Sequence, residues 1–235
     1  MVFPQPSVYL AGIRIDEPVT ALTDLLVSAV CLGAYLQLSK RGTTSNALLY
    51  FRYYFLLMAL ATLLGGLVGH AFLYALSFPW KLPGWVVSML SVALIERSSI
   101  EYARPLVPAR VARFFLTLNI IELITVMSIT FYTLDFRWVE FHSGYGLLGV
   151  VLPFHFYRYR QTRDRGSLTV IAAVGIATLA AIVYMNRLAL HTWFNHLDIS
   201  HVLMAAGAYV FFLGARVLSK TETLPEVFES RNNKS

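Results

Sequence analysis

The side chains of this sequence that could do chemistry are a few imidazoles and carboxylates set in apolar surroundings. Asp24 in TALTDLLV, His70 in GLVGHAFLY and His201 in NHLDISH each stand inside or at the edge of a long apolar run. An ionisable group placed there costs several kcal/mol unless it is paired or hydrated, which makes it a candidate for function. At about 1.5 Å of rise per residue, Asp24 falls about two turns into its helix, His70 about two turns from the end of the next, and His201 in the first turn of the last. Those depths coincide. Glu17, His142, Asn186, His191, Asn195, His196 and Asp198 fall near the same plane. Neutral imidazole nitrogens completed by a carboxylate are the donor set of a zinc site, and an open position there activates water. The expected metal ligands are His70, His201 and His196. Asp198 is expected as a ligand or general base, and Asp24 as a further ligand or an orienting group. Asp198 and His201 are three apart and share a helix face.

Structural roles compete for each of these residues. Asp198, just ahead of an apolar run, suits a helix N-terminus, where a carboxylate accepts from free N–H groups and meets the positive end of the dipole. His191 and His196 fit an interfacial connection, and His70, His201 and Asp24 could each bond to a neighbouring helix. Asn119 and Glu122, three apart in the middle of an apolar segment, read as interhelical glue. Arg97 and Glu101 read as a solvated pair at a helix end, and Gly65, Gly66 and Gly69 as a close-packing stripe beside His70. No phosphate-binding loop, dinucleotide fingerprint, nucleophile elbow or HExxH helix is present.

The scaffold that carries these groups is legible in the composition. Of 235 residues, 57% are hydrophobic and 14% charged, against about 25% charged in ordinary globular chains; the mean hydropathy is +0.61. That disfavours a soluble enzyme, a disordered regulator or a DNA-binding module. Seven apolar segments can be cut: Pro18–Ser39, Ala47–Leu76, Pro83–Tyr102, Val111–Leu134, Trp138–Tyr157, Ser167–Leu190 and Ile199–Ser219. Each is long enough to cross a bilayer, for which about 20 residues are needed. The fold class expected is therefore all-α: a polytopic, seven-transmembrane-helix bundle over residues 1–220, followed by a polar cytoplasmic tail, 221–235. Pro153 lies inside the fifth segment and is expected to kink or shorten it. Cys31 is the lone cysteine, so no intrachain disulfide forms. The first 16 residues lack the pattern of a cleaved signal peptide.

Charge sets the orientation. Of 19 Lys and Arg residues, 15 fall on alternate connections that share one side, while Arg14, Lys81, Arg137 and Arg187 fall on the other. The positive-inside rule then places the N-terminus outside and the C-terminus in the cytoplasm. The net charge of +6 is thus an orientation signal, and nucleic acid is not an expected partner. Trp80, Trp85, Trp138 and Trp193 all fall at outer ends, as an interfacial belt does.

Seven helices with a histidine in GLVGHAFLY (His70) and another in DISHVLMAAGAY (His201) resemble the CREST superfamily of membrane hydrolases, which includes alkaline ceramidases and adiponectin-receptor-like proteins. The resemblance implies a seven-helix bundle, an intramembrane zinc held by three histidines, and hydrolysis of lipid amide or related bonds. Three positions depart from the family pattern. Leu197 stands where the family has a second last-helix histidine, so that His196 or Asp198 would substitute; Gly66 replaces its serine and Lys81 its acidic residue. The function expected is a zinc-dependent hydrolase acting on lipid amide or ester bonds at an outer-leaflet site, with membrane lipids as its surroundings. Two alternatives stand beside it: a haem-binding electron-transfer protein with His70 and His201 as axial ligands, and a non-catalytic lipid-binding or scaffold protein.

Overall fold

The computed structural model describes residues 5–40 and 45–221, with only the backbone of 219–221. The expected tail beyond Thr221, and the cations Arg41, Arg231 and Lys234, lie outside the described residues. A small antiparallel hairpin, β1 (Val8–Leu10) and β2 (Ile13–Ile15), comes first. Its turn uses Ala11 and Gly12, both with positive φ. Apart from an isolated bridge between His191 and Phe194, the regular elements that follow among the described residues are helices, the longer ones being α1 (Pro18–Ser39), α2 (Asn46–Leu64), α3 (Leu82–Ala103), α4 (Ala109–Thr133), α5 (Arg137–Gly144), α6 (Leu152–Thr162), α7 (Arg165–Met185) and α8 (His196–Thr221). A π-helical stretch, Gly65–Ala71, prolongs α2, and another, Tyr145–Val151, joins α5 to α6 into one rod.

Six stretches among the described residues are long and apolar enough to cross a membrane: Pro18–Ser39, Asn46–Ala71, Phe78–Leu106, Ala109–Thr133, Arg165–Met185 and His196–Leu218. The α5–α6 rod is as long but does not reach that apolarity, because Arg137, Glu140, His142 and the basic end Arg158 to Arg160 dilute it. The expected kink at Pro153 takes a specific form. A proline inside a helix loses one N–H and presses its ring on the carbonyl four residues earlier. Here the wider π turn ends at Val151, so Pro153 enters in the first turn of α6, where no N–H is missed.

Local chemistry sets the ends of the helices. Ser45 accepts a hydrogen bond from the Leu48 N–H at 3.2 Å and starts α2. Asp164 accepts from the N–H groups of Gly166 and Ser167 at 3.1 and 2.8 Å and starts α7. The α8 helix begins at His196, three residues before the apolar run, because Asn195 and Asp198 form a reciprocal cap: Asn195 Oδ1 accepts from the Leu197 N–H at 2.8 Å, and Asp198 Oδ2 accepts from the Asn195 N–H at 2.6 Å.

The bundle packs α7 along α8 and α2 along α3, with α1 between α2 and α8. Phe51, Phe55, Phe211 and Phe212 interlock at its centre with Val27, Cys31 and Leu38 from α1. The α4 helix stands on the outside and leaves Phe114, Ile120, Ile121, Ile124 and Phe131 exposed. Apolar surface on that scale is what a bilayer covers.

Candidate functional site

Three helices bring Asp24, His70 and His201 together at the end of the bundle that carries the hairpin. Asp24, on α1, is 5% exposed. It meets the π stretch after α2 because two glycines there lack side chains. A Cβ on Gly66 would lie 2.9 Å from the Ala21 carbonyl oxygen and 3.0 Å from Asp24 Cβ, and one on Gly65 3.1 Å from Asp24 Oδ2. The extra residue of a π turn rotates every later side chain about the helix axis, and such turns gather at functional sites. Here it delivers His70, whose Nε2 lies 3.7 Å from Asp24 Oδ2. From α8, His201 Nε2 lies 3.5 Å from Asp24 Oδ1. The two imidazole rings are 6.2 Å apart and nearly perpendicular.

Protons can be placed on both rings from their other nitrogens. His70 Nδ1 is 2.5 Å from Glu17 Oε2. That hydrogen bond, together with the charges of His70 and Lys81, outweighs partial burial and holds the Glu17 carboxyl below its ordinary value. An ionised carboxylate only accepts, so Nδ1 carries the proton and Nε2 is left as a lone pair when the ring is neutral. On His201, Nδ1 is 3.1 Å from Thr23 Oγ1, and Thr23 gives its own proton to the Thr20 carbonyl at 3.0 Å. The Thr23 oxygen therefore accepts from His201 Nδ1–H, and Nε2 is again the free lone pair. Both free nitrogens point at a carboxylate that receives no hydrogen bond among the described residues. The separations of 3.5 and 3.7 Å are too long for hydrogen bonds.

Glu17 can reach His70 because of its backbone. It stands immediately before α1 at φ 43°, ψ 53°, a left-handed conformation unusual for a residue with a side chain, and gives no side-chain cap to α1. Gln5 does that instead: its Oε1 accepts from the Val19 N–H at 3.1 Å, while its Nε2 donates to Asp198 Oδ2 at 2.7 Å. The Asp16 N–H donates to the Ala71 carbonyl at 3.1 Å, which ties the hairpin to the π turn.

Two of the expected site residues stand elsewhere. Asp198 is fully buried and its oxygens are engaged by Thr20 Oγ1 at 2.8 Å, by Gln5 and by the Asn195 N–H. It caps α8 and ties it to α1, with both oxygens already accepting hydrogen bonds. His196 turns toward Tyr184 of α7, with ring centroids 5.8 Å apart, and does not join the cluster. Lys81 is within electrostatic reach of Glu17 and Asp24. Gly66 is where α1 approaches too closely for any side chain. The two imidazole nitrogens that a haem would use as axial ligands lie 3.7 and 3.5 Å from the Asp24 carboxylate.

A second group is not evident from the sequence. Glu96 of α3, Glu122 of α4 and His142 of α5 offer ligand atoms that all lie within 4.8 Å of one another. Asp24, His70 and His201 are not drawn that tightly. His142, expected near the outer surface, instead bonds Glu122 Oε2 through Nδ1 at 2.8 Å and the Met89 carbonyl through Nε2 at 3.0 Å. Glu96 is masked in the sequence by its neighbour Arg97; its only signal is that Val92, Ala93 and Ser99 mark the buried face of α3, on which it falls.

The molecule is thus a helical protein with six helices apolar enough to cross a membrane and a histidine–carboxylate cluster at one end. Residues 19–220 match a family of unknown function, DUF6962, and the chain belongs to that family. No curated protein and no solved structure matches it.

Proposed function

We propose that the protein is an integral membrane protein of seven spans, the α5–α6 rod being the seventh, with its N-terminus outside, and that the Asp24–His70–His201 cluster is a zinc-dependent hydrolase site for a lipid amide or ester. The orientation rests on the 15 cations gathered at one side. The observation that carries the chemistry is the convergence of two imidazole lone pairs on one undonated carboxylate. His70 Nε2 lies 3.7 Å from Asp24 Oδ2 and His201 Nε2 3.5 Å from Asp24 Oδ1, near the separation of about 3.3–3.6 Å between ligand atoms of a tetrahedral zinc ion, and the three groups would have to draw closer together to share one ion.

His70 and His201 would hold the ion through Nε2, and it would supply Lewis acidity toward the scissile carbonyl and toward water. Glu17 fixes the tautomer and orientation of His70, and Thr23 those of His201, as outer partners of zinc-bound histidines do. Asp24 would take the proton from the attacking water on a carboxylate oxygen as the water adds to the acyl carbon, and would pass that proton to the leaving nitrogen or oxygen as the C–N or C–O bond breaks, releasing a fatty acid with an amine or alcohol.

The test is fatty-acid release from amide- and ester-linked lipids in mixed micelles. The expected result is release that falls at least about 100-fold in Asp24→Asn and His70→Ala, which corresponds to about 2.7 kcal/mol of barrier, and that stops with a zinc chelator. Release from neither lipid class, or release indifferent to both substitutions, would contradict the hydrolase reading and leave a lipid-binding or scaffold role.

A further inference from the structure

We infer that Glu96, Glu122 and His142 form a second, buried divalent-cation site that clasps α3, α4 and α5. The three side chains come from three separate helices and their ligand atoms lie mutually within 4.8 Å. Glu96 and His142 have no exposed surface, and the Glu122 side chain is 10% exposed. The proton on His142 is fixed by its surroundings. A backbone carbonyl only accepts, so Nε2, 3.0 Å from the Met89 oxygen, carries the hydrogen. In the neutral ring Nδ1 is then a lone pair, and it faces Glu122 Oε2 at 2.8 Å. A nitrogen and a carboxylate oxygen at that distance share a proton, and a cation bound by both would take the place of that proton, the two atoms moving apart to hold it. Histidine that donates one N–H to a carbonyl and offers the other nitrogen is also how metal-bound histidines are oriented.

The unpartnered oxygens decide for the cation. Glu96 Oε2 accepts from Asn119 Nδ2 at 3.1 Å, but Glu96 Oε1 and Glu122 Oε1 are buried with no hydrogen-bond partner. One shared proton on the Glu122–His142 pair would satisfy neither. A buried acceptor left bare costs about 1–3 kcal/mol, and more when charged. The nearest arginine does not supply the missing charge directly, because Arg97 Nη1 donates to Asn119 Oδ1 at 3.2 Å and to the Leu116 carbonyl at 3.4 Å. Gly146, in the π turn between α5 and α6, lets Glu96 come this close to the rod, because a Cβ there would lie 2.6 Å from both Glu96 Oε1 and Val92 Cγ1. Two carboxylates and one imidazole suit zinc or manganese rather than a soft ion.

The experiment starts from the double variant His70→Ala, His201→Ala, which removes the first cluster, so that failure of one site is read separately from failure of the other. Purified in detergent and equilibrated with zinc, and separately with manganese, it should retain about one ion per chain. Adding Glu96→Gln, and separately Glu122→Gln, should lower that content at least about fivefold in monodisperse, helical protein. Zinc-edge X-ray absorption of the double variant, which needs no substitution in α3 or α4, should show one imidazole among oxygen ligands. A double variant free of both metals, content unchanged by either glutamine, or an ion without a single imidazole ligand would overturn the site.

Discussion

Placing a methyl group on Gly66 should separate α1 from the π turn and so dismantle the site from a distance. The added Cβ would lie 2.9 Å from the Ala21 carbonyl oxygen and 3.0 Å from Asp24 Cβ. The first neighbour is backbone and cannot rotate away, so the helices must part by about 0.5 Å to restore ordinary contact, and forcing extra volume into a packed contact costs about 1–3 kcal/mol. Replacing glycine by alanine in a helix also gains about 1 kcal/mol of propensity, which would mask part of the loss. Gly33, on α1 with nothing within 4 Å of its Cβ position, supplies the correction, because Gly33→Ala collects the propensity gain alone. The difference between the two variants is therefore the steric term, about 1–3 kcal/mol, or roughly 2–12 °C in melting temperature at about 2–4 °C per kcal/mol. Thermal unfolding of both variants and the parent in one detergent measures it. Equal stability of Gly66→Ala and Gly33→Ala would refute the close approach, and with it the reason Asp24 reaches His70.

Asp198→Asn should lower the melting temperature by an amount worth about 1–2 kcal/mol, from the weakened cap and its link to α1, yet leave metal content unchanged; loss of metal would return Asp198 to the site. Asp164→Ala should cost about 1 kcal/mol or more in the same assay, since Asp164 caps α7 and also accepts from Tyr102 Oη at 3.0 Å. The Glu17–His70 contact makes a pH signature. With its folded value below the ordinary 4.5, the Glu17 carboxylate contributes stability that is present above about pH 4.5 and is lost as pH falls through the lower folded value. Melting curves from pH 7 to 3 should show that loss in the parent and a smaller one in Glu17→Gln; identical slopes would refute the pairing.

What can be read from the sequence divides along physical lines. Apolar length and bounding charges place the long helices to within about five residues, because charged and helix-breaking groups resist the burial that an apolar run of about 20 residues implies. Depth along a helix can be counted, so the shared level of Asp24, His70 and His201 is visible in the residue numbers alone. Azimuth cannot be counted as well, since a π turn such as Gly65–Ala71 shifts every later side chain around the axis. The partnership of His142 with Glu122 and Glu96 joins three separate helices, and which of their faces meet cannot be deduced from spacing within any one of them. Asp198 shows the other limit: its chemistry suits a cap or a base equally, and only its three donors decide between them.

Whether His70, His201 and Asp24 hold a divalent cation is decided by the metal content per chain of purified protein, parent beside His70→Ala, His201→Ala and Asp24→Asn, by elemental analysis. One zinc-class ion fewer per chain is expected in each histidine variant, with weakened retention in Asp24→Asn. A parent without stoichiometric metal, or histidine variants that keep all of it, would show that the cluster binds no ion.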